Sequence, residues 1–206
     1  MFDQELPASV PSSNVPTNLS MFDGEVVFID VETTGLNSAY EYVVEIAALQ
    51  YQYGKVQTHF CTLVKPPVPI PEEVMRIHHI SNEMVETAPV FADVAGRFCS
   101  FIEGKVLCGY NVGFDLSFLN QEFARMQHAV LENRSFDVLK MTRALIPHLQ
   151  RYSLGAVGAA LGCRYNELHR AYEDVCLEVQ VFEKCLQRMS SAVPVDVRDL
   201  IMRFGF

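Results

Sequence analysis

The run over residues 27–36, Val-Phe-Ile-Asp-Val-Glu-Thr-Thr-Gly-Leu, limits this chain to few architectures. Its apolar and β-branched residues spell a buried strand, and Thr33, Thr34 and Gly35 stop it. Side chains alternate between the two faces of a strand, so Asp30 and Glu32 share one face while Val27, Ile29 and Val31 share the other. Two acids side by side near the end of a central strand are costly, because burial and mutual repulsion both disfavour their charged forms. A bound cation removes that cost. The competing arrangement is a strand end at which both carboxylates simply reach water.

With 206 residues, half of them hydrophobic, the chain can bury a full core and reads as one domain plus extensions. The six cysteines contain no Cys-x-x-Cys pair, which argues against a zinc knuckle or a redox motif and for buried thiols. There is no basic start with an apolar run behind it, as in a secretory signal, and no apolar stretch approaches the ~20 residues of a membrane span. The expectation is a soluble, cytoplasmic protein with no membrane partner. A net charge of −9 argues against clamping long duplex DNA through many phosphates. Yet the charge is uneven: residues 1–60 carry a net −7, and residues 134–170 a net +4. A modest basic surface belongs to the C-terminal half.

Residues 1–20, rich in Ser, Pro and Asn, read as a flexible arm. Two β-rich runs, 42–53 and 56–64, form a hairpin joined at Gly54 and Lys55. A stiff proline-rich connector over 65–71 follows, leading to a helix start. The spacing then predicts a helix over 91–102, a short strand over 106–109 and a helix over 114–127 with the stripe Leu116, Leu119, Phe123 and Met126. A last strand over 135–138 and helices over 138–146 and 153–161 come next. The final helix, 170–187, has the stripe Ala171, Val175, Val179, Phe182 and Leu186, with Asp174 flanking it about 60° away. Strands first, then alternating helices and strands, imply a mixed sheet covered by helices. Residues 189–206 form a short extension whose aromatic end docks on the domain or on a partner.

Four acids thus stand where elements end: Asp30 and Glu32 on the first strand, Asp115 at one helix start and Asp174 at another. Hard ions such as Mg²⁺ and Mn²⁺ prefer carboxylate oxygens and keep some waters for substrate phosphate. Two such ions, roughly 4 Å apart, would activate a water and steady the departing oxygen in phosphodiester hydrolysis. They would also let an acidic protein accept a polyanion locally. His169, in the loop before the last helix, has the pKa range to take the proton of an attacking water.

These residues resemble the motifs of the DEDDh, or DnaQ-like, 3′→5′ exonucleases, a family that includes the proofreading subunit of bacterial replicative polymerases. Asp-x-Glu-Thr-Thr-Gly-Leu stands complete at residues 30–36, Asn-x-x-Phe-Asp at 111–115, and His-Arg-Ala-x-x-Asp at 169–174. Ile77-His78-His79-Ile80 is similar to the family's Ile-His-x-Ile loop, and Ser153-Leu154 to its Ser-Leu helix start. Tyr110 departs from the pattern, where many members carry His, and so does Gly113, where they carry a larger residue.

The resemblance, covering about residues 22–188, implies a ribonuclease H-like α/β fold with a mixed five-stranded sheet and helices on both faces, the exonuclease domain being 21–188. It implies Asp30, Glu32, Asp115 and Asp174 as ligands of two Mg²⁺ or Mn²⁺ ions, and His169 as general base. Glu32, Thr33, Leu36, His78, Asn111 and Phe114 would hold the terminal nucleotide. The implied activity is removal of nucleoside 5′-monophosphates from the 3′ end of single-stranded DNA, with a DNA polymerase subunit as a candidate partner. The alternatives are an exoribonuclease trimming RNA and a weakly active accessory module of a polymerase. The oligomeric state is left open, a homodimer included.

Overall fold

The computed structural model describes residues 22–165, 169–189 and 195–206. The expected arm over 1–20 lies outside them. In chain order the elements are β1 (Phe22–Asp23), β2 (Glu25–Thr33), β3 (Val43–Gln52), β4 (Lys55–Leu63), α1 (Glu72–His78), α2 (Asn82–Val85), α3 (Phe91–Ile102), β5 (Val106–Gly109), α4 (Gly113–Arg125), β6 (Ser135–Asp137), α5 (Val138–Leu145), α6 (Leu154–Leu161), α7 (Ala171–Met189), β7 (Val195–Asp196) and α8 (Val197–Phe204).

Five strands form a mixed sheet in the order β4-β3-β2-β5-β6. The β2–β3 and β3–β4 pairs are antiparallel, and the β2–β5 and β5–β6 pairs parallel. The strand bearing the paired acids is therefore the central one. The hairpin turn falls at Tyr53 and Gly54, one residue earlier than expected, because both adopt positive φ (53° and 74°) and Lys55 already pairs with Gln52.

Alternation along β2 divides the core. Val27, Ile29 and Val31 pack with Val94, Phe98, Phe118 and Leu119 of α3 and α4. On the opposite face Val26 and Phe28 pack with Val175, Val179 and Phe182 of α7. Phe182 meets Phe28, Phe22 and Tyr51 edge to face at centroid distances of 5.2, 5.4 and 5.8 Å, a geometry that aligns ring edges with ring faces. Asp30 and Glu32 continue the Phe28 face toward the strand end, so they look at the start of α7. The sheet and this aromatic cluster fix where those two acids stand.

Helix α4 departs from the expected stripe. Its buried residues are Asp115, Phe118, Leu119, Glu122 and Phe123, whereas Leu116 and Met126 are half-exposed. The shift has a polar cause: Asp115 accepts the Val31 N–H at 3.0 Å and Glu122 the Val43 N–H at 3.1 Å. Two helix carboxylates satisfy strand donors that the sheet leaves unpaired, next to the register shift between Glu32 and Thr33. Beyond α7, β7 pairs in parallel with β1, Phe204 is buried, and Gly205 bridges to Phe136 of β6. The aromatic end thus docks on its own domain.

Candidate active site

Asp30 and Glu32 end the central strand, and Asp174 stands in the first turn of α7. Each offers a carboxylate oxygen, and the three oxygens lie within 4.8 Å of one another, an arrangement able to hold a metal ion. Asp115 stands apart from this trio: it is 3% exposed and its Oδ1 accepts the Val31 N–H, between the two strand acids. Strand β5, which leads into α4, runs close against β2. A Cβ on Gly109 would lie 2.6 Å from the Ile29 carbonyl oxygen, so a residue with a side chain would push the two strands apart.

The electrostatics follow from crowding. Burial, then the charges of Asp115, Glu178, Glu32 and Asp174, push the Asp30 carboxyl well above its ordinary range. Burial and the charge of Asp174 push Glu32 up to about 8. Asp115 is raised to about 8, chiefly by burial, against the opposing bond from Val31. Asp174 is raised to about 6 by burial, less because the His169 N–H and charge favour its ionised form. Such a set is poised to give up protons to a cation.

His169 is exposed at the rim, with φ 69°, and its backbone N–H donates to both oxygens of Asp174 at 3.2 Å. Asn111, at φ 68°, is held the same way: its N–H donates to Oδ1 of buried Asp137 at 3.0 Å. Two non-glycine residues in the left-handed region, one just before α4 and one just before α7, are thus each tied by the N–H to a carboxylate. Strain of this kind persists only where surrounding contacts over-determine it.

Residues beyond the motifs complete the site. Glu45, buried on β3 and paired in register with Glu32, accepts two hydrogen bonds from Arg170, Nε at 3.1 Å and Nη2 at 2.7 Å, and a third from the Ala171 N–H at 3.0 Å. It fastens the His169 loop and the start of α7 to the sheet. Glu178, one turn after Asp174 and 1% exposed, accepts the Tyr110 N–H at 2.8 Å, while its Oε2 has no hydrogen-bond partner. Burial and Asp115 push its carboxyl well up. Sequence reasoning passed over both. An acid inside the apolar run 43–49 was the signal for Glu45, and the i, i+4 spacing from Asp174 the signal for Glu178.

The residues expected to hold a nucleotide divide into rim and support. Leu36 is 88% exposed on a loop pinned at its ends, where Thr34 bonds Glu41 and Tyr42, and Arg125 donates to the Ser38 carbonyl at 2.9 Å. Asn111 is exposed and Phe114 half-buried against Phe118. Thr33 is buried, its hydroxyl donating to the Gly35 carbonyl at 2.6 Å. His78 is 1% exposed: its Nδ1 accepts the Ile80 N–H at 3.0 Å, its Nε2 has no partner, and burial lowers its pKa. It lies beneath the surface rather than on it.

The chain matches the exonuclease family model, RNase T type, over residues 27–182. Among curated relatives it is 31% identical over 170 residues to the DNA polymerase III subunit epsilon of Aquifex aeolicus, covering 82% of this chain and 84% of that one. It is 32% identical to a PolC-type DNA polymerase III of Caldanaerobacter subterraneus over 81% of this chain, but spans only 12% of that polymerase. In fold it is similar to E. coli Exonuclease I in complex with a dT13 oligonucleotide, with TM-score 0.72 and 21% identity over 80% of this chain and 41% of the other. Among the described residues no helix is long and apolar enough to cross a membrane. The ordered motifs, the ribonuclease H-like sheet and the family match together mean that the chain belongs to the exonuclease family, of the DnaQ-like type.

Proposed function

We propose that the protein is a metal-dependent exonuclease that removes nucleoside 5′-monophosphates one at a time from the 3′ end of single-stranded DNA. The observation that carries this reading is the trio of Asp30, Glu32 and Asp174 oxygens within 4.8 Å of one another, on carboxyls whose burial disfavours charge. Hard divalent ions suit such an oxygen set, so the residues fit Mg²⁺ or Mn²⁺. Asp30, Glu32 and Asp174 would hold two ions, with Asp115 contributing through water. Such ions supply Lewis acidity and lower the pKa of water.

The chain's own residues do the rest. A ring nitrogen of His169 takes the proton of the attacking water, and the bond from the backbone N–H of His169 to Asp174 keeps the loop that carries the imidazole beside the acids. Glu45 and Arg170 keep that loop in place. Leu36 and Phe114 offer apolar faces to the terminal base and sugar. The names of the relatives support a partnership with a replicative polymerase.

The test is product analysis on matched 5′-labelled DNA and RNA strands, with Mg²⁺, Mn²⁺ or a chelator. Stepwise shortening from the 3′ end that requires metal, faster on DNA, is expected. Faster turnover of RNA would replace the substrate; an uncut strand would favour a binding module. His169→Ala should slow turnover by about 10²–10⁴-fold, and an unchanged rate would remove it from the chemistry.

A further inference from the structure

Gly113 opens α4 between Asn111 and Asp115, and an aromatic ring from the far end of the chain rests on it. A Cβ at Gly113 would lie 3.3 and 3.4 Å from two ring carbons of Phe206, so the missing side chain makes room for that ring. Lys140 and the backbone of Gly205 hold Phe206 in place. Lys140 on α5 places its Nζ 3.6 Å from the ring centroid and donates to the Gly205 carbonyl at 2.9 Å. Gly205 bridges to Phe136 and donates its N–H to the Ile201 carbonyl at 2.9 Å. A Cβ on Gly205 would lie 2.3 Å from that same oxygen, so the passage admits glycine alone. Buried Phe204 anchors the segment.

Despite this anchoring Phe206 is 73% exposed. A large apolar ring, immobilised and left facing water, gains little from burial. It has the properties of a stacking surface: a largely exposed ring, backbone anchoring on either side of Gly205, and a cation against the ring in a protein whose net charge is −9. The glycine it touches opens α4, two residues after Asn111 and two before Asp115. We propose that Phe206, seated on Gly113 and backed by Lys140, is a base-stacking subsite for the substrate strand, taking one nucleobase upstream of the terminal nucleotide. The subsite rests on the exonuclease reading for its ligand, a single-stranded nucleic acid.

Binding is measured by anisotropy on the full chain with a labelled single-stranded oligonucleotide, Ca²⁺ replacing Mg²⁺. Phe206→Ala should weaken binding roughly tenfold, and Phe206→Trp should hold or improve it. A single abasic position is then walked from the 3′ end. The wild type should lose affinity at one upstream position, and Phe206→Ala should be insensitive there. Equal affinities of wild type and Phe206→Ala, or a loss spread evenly over all abasic positions, would overturn the subsite; so would a wild type that does not bind the strand. Cleavage is read separately. Strand shortening with unaltered binding in Phe206→Ala would leave the exonuclease reading standing without the subsite, and selective binding loss with no cleavage by wild type would do the reverse.

Discussion

Glu45 illustrates how a residue far from the chemistry can decide where the chemistry happens. Its carboxylate takes both arms of the Arg170 guanidinium and the first N–H of α7, so one buried acid sets the position of His169 and of Asp174 together. Arg170→Ala should lower kcat about 10–100-fold with KM nearly unchanged, the effect usual for a group that orients a catalytic or ligand side chain. Arg170→Lys should fall between, because an ammonium keeps the charge but not the two-pronged bond. Steady-state kinetics with circular dichroism as a fold control checks this, and an unaltered kcat in Arg170→Ala would show that the loop holds itself. Asp30, Glu32, Asp115, Asp174 and His169 were legible in the sequence because two acids share one face of an otherwise apolar strand and the others stand in ordered motifs that resemble one family. Glu45 and Glu178 left only a local trace, an acid out of place, and the role of Glu122 was not visible at all. Each is explained by a partner 68 to 126 positions away, and no local pattern encodes that distance.

At the scale of the element, β2, α3 and α7 could be read because a single period accounts for them: alternation in the strand and three- or four-residue steps in the helices. Helix α4 was placed by its period, but only Leu119 and Phe123 of its expected stripe are buried, because its buried face mixes apolar residues with two acids that answer unpaired strand N–H groups. A hydrophobic stripe is the wrong ruler for such a helix. Strand β5 depends on something else again, the absence of a side chain at Gly109. Gly109→Ala would set a methyl 2.6 Å from the Ile29 oxygen, a backbone atom held in the sheet and unable to yield cheaply. We expect a loss of about 1–3 kcal/mol in denaturant unfolding, typical of overpacking, and a fall in turnover beyond what the unfolded fraction explains. Wild-type stability in that variant would mean that β5 and β2 can separate without cost, and that Asp115 is placed by α4 alone.

Over the whole molecule, the site is a stored electrostatic cost that folding must absorb. Below about pH 4 the acids are protonated in both the folded and the unfolded chain, and the raised values of Glu32, Asp115 and Asp174 make no difference. As the pH climbs, the unfolded chain ionises first, which favours unfolding by ~1.4 kcal/mol per group for each pH unit. That loss levels off near pH 6 for Asp174 and near pH 8 for Glu32 and Asp115. Metal-free protein should therefore weaken steadily from about pH 4 to pH 8, a range in which paired carboxylates, whose gain is complete by about pH 5, no longer add stability. A divalent ion reverses the balance, since it binds the ionised acids of the folded state and must displace fewer protons as the pH rises. The increase in Tm on adding Mn²⁺ should thus be small at pH 5.5 and largest near pH 8, and Asp30→Asn should shrink it at every pH. Thermal melts across this range, with chelator and with metal, measure both arms. A metal-induced increment that stays constant with pH would mean that these carboxyls are already ionised without the ion, and that their crowding is relieved by water instead.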